Sequence, residues 1–147
     1  MLYRANKRRR HYRRTRQALP GLTRAEAKRT ASGAVARDCA AGDVLVREGD
    51  PSDSFFVIVS GTLEASQGHN GDSKPIRRMG PGDRFGEIGL LNGMPRTATV
   101  TATTDAELLV IGGPAFHQLL DESTAARAGL AEVAAQRLRE HPATPAE

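Results

Sequence analysis

The chain has 147 residues, 39% of them hydrophobic and 26% charged, which supplies one core of ordinary size and not two folded domains. Its formal net charge of +4 hides an asymmetry: residues 1–37 carry 12 Lys or Arg against one acid, and residues 38–147 carry 9 against 16. The single cysteine, Cys39, excludes an intrachain disulfide, and the longest wholly apolar run, Phe55 to Val59, is far short of the roughly 20 residues a membrane-spanning helix needs.

Eight cations fall within the first sixteen residues, at Arg4, Lys7, Arg8, Arg9, Arg10, Arg13, Arg14 and Arg16, with no acid among them. Such a block repels itself, so residues 1–20 are expected to form a flexible basic arm that stays extended until it meets a polyanion, either anionic lipid or nucleic acid. No signal-peptide apolar core follows, and the reading is a cytoplasmic protein, with a position at the membrane surface left open. The basic start is equally compatible with a piece cut from the cytosolic edge of a larger membrane protein.

Pro20 and Gly21 mark a break, after which Thr23 and Glu26 form a capping box that predicts a helix through about Arg37. Short segments rich in Val, Ile, Phe and Thr then predict strands at Val44–Arg47, Ser54–Ser60, Thr62–Ser66, Pro75–Met79, Ala98–Ala102 and Ala106–Ile111. Gly49-Asp50-Pro51 and Gly80-Pro81-Gly82-Asp83 have turn chemistry, and His69-Asn70-Gly71-Asp72 is the expected hairpin tip. Pro114 opens a short helix to Leu120, and a longer one runs from Ala125 to about Glu140, capped by Ser123 or Thr124, with Leu130, Val133, Ala134 and Leu138 at helical spacing. The expected class is α+β, mainly β: an antiparallel β-roll or jelly roll over about 42–112, an N-terminal helix, and C-terminal helices over 114–140. Residues 21–141 form the domain and 142–147 a disordered tail.

The segment Phe85 to Val100, FGEIGLLNGMPRTATV, carries the chemistry. Gly86 permits close backbone approach, and Glu87, Ile88, Gly89, Leu90 and Leu91 can form a helical turn whose free N–H groups face an anion. A carboxylate beside a phosphate is repulsive, so Glu87 suits a sugar hydroxyl. The turn at Gly93, Met94 and Pro95 returns the chain, so that Arg96 can offer phosphate oxygens a planar fork. Taken singly, Glu87 is only an acid at a helix N-terminus, and Arg96 only a surface cation or a partner for an acid such as Asp83.

The segment resembles the phosphate-binding cassette of the cyclic-nucleotide-binding domain family, whose pattern is FGE, small or apolar residues, a turn, then PR-[TSA]-A-[TS]-V. The resemblance continues upstream through AGDVLVREGDPSDSFFVIVSG, Ala41 to Gly61, and covers about Gly42 to Asp121. It implies that Glu87 bonds the ribose 2′-hydroxyl, that Arg96 pairs with the cyclic phosphate, and that the backbone of Gly86, Ile88, Gly89, Thr97 and Ala98 completes the shell. It also places Thr97 at the guanine edge, which leaves cAMP and cGMP open as ligands. Ile76, Phe85 and Leu90 belong either to the core or to the pocket, and Phe56 and Val59 to the core. Arg137 or Leu138 forms a lid over the base if the last helix folds back; otherwise that helix is plainly amphipathic.

His11, His69, His117 and His141 lack metal-ligand spacing, and no nucleophile sits in a catalytic motif, so neither metal, cofactor nor enzymatic activity is expected. The resemblance implies a regulatory sensor for a cyclic purine nucleotide whose occupancy moves its helices. Its effector would be a fused or associated body such as a transporter or channel, and no sequence-specific DNA-binding module follows Glu140. The rival reading is a protein that binds nucleic acid or anionic membrane through the arm, with the roll as a structural or interaction domain.

Overall fold

The computed structural model describes residues 2–68 and 72–143. In chain order the elements are α1 (Leu2–Ala18), α2 (Arg24–Gly33), β1 (Val35–Cys39), β2 (Val44–Val46), β3 (Ser54–Ser60), β4 (Leu63–Gln67), β5 (Lys74–Met79), β6 (Arg84–Phe85), α3 (Glu87–Asn92), β7 (Thr99–Ala102), β8 (Ala106–Gly112), α4 (Gly113–Glu122) and α5 (Thr124–Glu140). Two four-stranded antiparallel sheets, in the orders β1-β8-β3-β6 and β2-β7-β4-β5, face each other as a roll.

Strand β3 explains the architecture. Its residues Phe55 to Val59 are all buried because both faces are covered. Phe55, Val57 and Val59 pack with Leu19, Phe116 and Leu120 in the layer between sheet and helices. Phe56 and Ile58 point the other way, into the inter-sheet core with Leu63, Met79 and Val100. A continuous apolar run is what a strand buried on both faces requires.

The N-terminal region differs from the extended arm expected of it. Residues 2–18 are helical, and Thr15, Ala18, Leu19 and Leu22 are buried along one side. Arginine and lysine are good helix formers, and the mutual repulsion of these cations is answered from the roll. Glu107 on β8, itself buried, faces Lys7 Nζ at 3.8 Å, Arg10 Nη2 at 3.6 Å and His11 Nε2 at 3.3 Å. Arg14 Nε donates to the Val59 carbonyl oxygen at 3.0 Å. The basic segment is therefore docked on the body.

The capping box is present, with Glu26 N–H donating to Thr23 Oγ1 at 3.2 Å and Thr23 N–H to Glu26 Oε1 at 2.8 Å. The helix it opens stops at Gly33, short of Arg37. Residues Val35–Cys39 instead pair with β8 in register Val35 to Val110 through Cys39 to Ala106, because the edge of β8 satisfies their backbone groups. The remaining strands lie within a residue or two of their expected bounds, and Ser123 Oγ caps α5 by accepting from Ala126 N–H at 3.2 Å. The short β6 and the helix α3 complete the cassette end of the roll. Most of the expected hairpin tip, residues 69–71, and the last four residues of the tail lie outside the described residues. Among the described residues no helix is long and apolar enough to cross a membrane.

Replacing Glu107 by Gln removes the charge that holds α1. The expected result is a local loss of about 1 kcal/mol, read as roughly fivefold faster amide exchange over residues 5–14 with the strands unaffected. Unchanged protection there would mean that the apolar side of α1 alone docks the helix.

Candidate ligand-binding site

The cassette owes its shape to glycines. Gly86 caps α3 in the left-handed region at φ 97°, and a Cβ placed on it would lie 2.7 Å from the Ser54 carbonyl oxygen and 2.9 Å from Arg96 Nη1. Conformation and space both demand glycine there. At the other end Gly93, at φ 64°, turns the chain out of α3, and Met94 N–H donates to the Gly89 carbonyl oxygen at 3.0 Å. Ser52 Oγ then donates to the Met94 carbonyl oxygen at 2.8 Å, and Arg96 N–H to that of Asp50 at 2.8 Å. The return strand is thus pinned to the 49–53 turn before Arg96 leaves the backbone.

Arg96 is 6% exposed. Its Nη1 donates to the Ser54 carbonyl oxygen at 3.0 Å, and its Nη2 lies 3.3 Å from both Asp53 Oδ1 and Ser54 Oγ. The guanidinium carbon sits 5.6 Å from the centroid of the Phe56 ring, which stacks in turn on Phe85. The acid beside Arg96 is Asp53, not Asp83, whose carboxylate instead accepts from Gly80 N–H at 2.8 Å in its own turn. Burial pushes the Arg96 guanidinium below the usual arginine value, with Asp53 acting in the opposite direction. It remains a cation.

Glu87, at the first position of α3, is 0% exposed. Its Oε1 accepts a short hydrogen bond from Arg137 Nη1 of α5, which also donates to the Arg84 carbonyl oxygen at 3.1 Å. Its Oε2 is buried and has no hydrogen-bond partner among the described residues. A buried carboxylate oxygen without a donor costs free energy, which a ligand hydroxyl placed there would recover.

These groups meet in a hollow between the cassette, Arg137 and the inner face of the β2-β7-β4-β5 sheet. Phe85, Gly86, Glu87, Ile88, Gly89, Arg96, Thr97, Ala98 and Arg137 all line it. Of the other residues singled out from sequence, Leu90 points into the helix-side core with Phe55 and Phe116, and Ile76 packs half-buried against the inter-sheet core. Leu138 is half-buried on α5, outside the lining.

Sequence reasoning missed Arg77. It pairs with Ala65 across β4 and β5 and lines the hollow together with Met79, two positions on. Burial lowers its pKa and that of Arg84, with Glu87 pulling each the other way. Three guanidiniums, of Arg77, Arg96 and Arg137, thus line the hollow with the one carboxylate of Glu87, and the hollow favours an anion that also brings a neutral donor. Alternation along β5 was the available signal, but it does not tell which face looks into a pocket. The hollow measures about 50 Å³, below the roughly 300 Å³ at which small-molecule sites begin, and Arg137 is part of its lining.

The family described as "Cyclic nucleotide-binding domain" matches residues 36–123. The cAMP-dependent protein kinase regulatory subunit of Colletotrichum orbiculare is 36% identical over 102 residues, which are 69% of this chain and 26% of the relative. Among solved structures, the regulatory domain of Toxoplasma gondii PKA with cAMP superposes with a TM-score of 0.74 at 28% identity, over 78% of this chain and 44% of that one. The catabolite activator protein of Thermus thermophilus gives 0.73 at 29% identity, over 82% and 57%. The fold and the cassette are those of a small-ligand regulatory module. The chain belongs to the cyclic nucleotide-binding domain family, and it spans about a quarter of the length of this curated relative.

Proposed function

We propose that this domain is a non-catalytic cytoplasmic sensor for a cyclic purine nucleotide, and that occupancy of the cassette shifts α5 against the roll. The observation that carries the reading is the buried Glu87, whose Oε2 lacks a donor in the same hollow as Arg96. In this proposal the cyclic phosphate takes the Arg96 fork and the N–H groups of the first turn of α3, which have no intrahelical partner. The ribose 2′-hydroxyl donates to Glu87 Oε2.

The hollow must widen to admit a nucleotide, and one of its lining side chains, Arg137, belongs to α5. Ligand biases α5 only through its differential affinity for the two placements of Arg137, which the Glu87 carboxylate couples directly to the site. Kinase regulatory subunits among the relatives, and the cAMP in the Toxoplasma structure, support cAMP. Thr97 and Arg77 in the lining favour a guanine, since a planar fork matches guanine O6 and N7 and a hydroxyl can meet the same base edge. The output passes to a fused or associated protein, and the relatives' description as kinase regulatory subunits supports an effector of that kind over a transporter or channel body.

Titration calorimetry with cAMP, cGMP and linear AMP tests the site. Arg96→Ala should weaken cyclic-nucleotide binding by roughly ten- to a hundredfold, the worth of about 1.5–3 kcal/mol for a charged hydrogen bond. Affinity equal to the parent's removes Arg96 from the site. For Glu87→Ala the expected outcome is loss of the preference for the ribo over the 2′-deoxy nucleotide; equal weakening of both ligands would end the 2′-hydroxyl assignment. Arg77→Ala should reduce cGMP affinity by about tenfold while changing cAMP much less, as loss of a bidentate base contact does. A parallel loss for both would make Arg77 a general anion contact.

A further inference from the structure

A second electropositive feature lies away from the nucleotide hollow. Arg8 and Arg9 of α1 and Arg24 and Lys28 of α2 line a groove of about 980 Å³ that runs between the two helices towards β1. No carboxylate lines it, and among the described residues none of the four is paired with an acid, whereas neighbouring Lys7 and Arg10 are engaged by Glu107 and Arg29 by Glu122. Arg16 donates to the Tyr12 hydroxyl, and with further help from Arg24 this holds the phenol below its usual range, which marks the same region as strongly positive. Like charges facing one another across a concave surface favour an anionic occupant.

The floor of the groove is small and apolar, with Ala31 on α2 and Ala34 and Ala36 at the start of β1. Strand β1 is the outer member of its sheet, and Val35 on it is 68% exposed. It has no second strand partner among the described residues.

We propose that this groove binds an extended acidic segment of a partner protein, whose carboxylates meet Arg8, Arg9, Arg24 and Lys28 and whose backbone runs beside β1. An extended chain is narrow enough to enter between two helices and gains main-chain hydrogen bonds from a free strand edge. A bilayer surface is flat and reaches the rim of a concavity, not its walls, and Val35 is the only large exposed apolar side chain among the described residues that could insert. Single-stranded nucleic acid binds on stacking platforms, and of the two rings here His11 is engaged by Glu107 and Tyr12 already carries the Arg16 guanidinium 6.0 Å from its centroid.

The test uses the full chain and a fluorescein-labelled peptide of alternating glutamate and valine, followed by fluorescence anisotropy. Arg24→Glu with Lys28→Glu is expected to weaken peptide binding by at least about tenfold. The pair Arg8→Gln and Arg9→Gln, on the opposite wall, should weaken it in the same direction, so the result does not depend on α2 alone. Arg78→Glu with Arg139→Glu makes the same change of net charge at exposed positions outside the groove and should leave binding close to that of the parent. Absence of peptide binding overturns the proposal, as does equal weakening by the charge reversals inside and outside the groove. Tighter binding of phosphatidylserine vesicles or of a single-stranded oligonucleotide, lost in the same groove variants, overturns the assignment to a protein segment.

Discussion

A carboxylate held wholly out of water sets the terms for this domain. Glu87 opens α3 at the floor of the hollow, where an ionised side chain is tolerable only with a charged partner and donors for its oxygens. The partner is Arg137, fifty residues further along the chain and on the last helix. That one ion pair ties the last helix of the domain to the cassette. It also leaves the second oxygen of Glu87 unanswered, which a purely structural pair would have no reason to do.

The other side of the hollow is rigid for a different reason. Arg96 is fastened to Asp53 and Ser54 and lies over Phe56, all at the start of β3, the strand packed on both faces. A guanidinium so held loses little further conformational entropy on meeting a phosphate. The same fastening gives it a competing acid, Asp53, which is itself largely exposed and can yield to a better anion without leaving a buried charge behind. The Arg96 side of the hollow is therefore prearranged, whereas the Glu87 side is lined by Arg137 from a helix distant in sequence.

What could be read from the sequence followed the range of the interactions. The Gly86, Glu87 and Arg96 constellation is local, its spacing fixed by a short helix between two left-handed glycines, and the residues alone revealed it. The strand expected over Ser54–Ser60 is likewise present with those bounds, whereas its burial on both faces emerged only from the packing of the helices on the roll. Interactions between distant segments were not legible. Self-repulsion among the N-terminal cations suggested an extended arm because Glu107, 96 residues from His11, could not be seen as its counter-charge. An alanine-rich stretch suggested a helix to Arg37 because nothing local announces that the edge of β8 is free to pair with Val35–Cys39. Arg77 reached the hollow through the pairing of β5 with β4, and Arg137 through the path of α5, for which a plain amphipathic helix was the stronger reading and a lid the weaker.

The division of labour on Glu87 bears on how a ligand would act. Arg137 holds Oε1, and the free position is Oε2, so a ribose hydroxyl and Arg137 need not compete for the same atom. Were they to compete, binding would expel α5 at the cost of an uncompensated buried acid, a loss of several kcal/mol that a single hydroxyl could not offset. With the two oxygens shared out, the hollow can widen by displacement of α5 along the pair rather than by its rupture, with Arg137 still supplying the counter-charge. In the proposed coupling, the ligand's leverage on the helix would lie in the volume it must claim from the Arg137 side chain, with Glu87 as the pivot that α5 would retain in both placements.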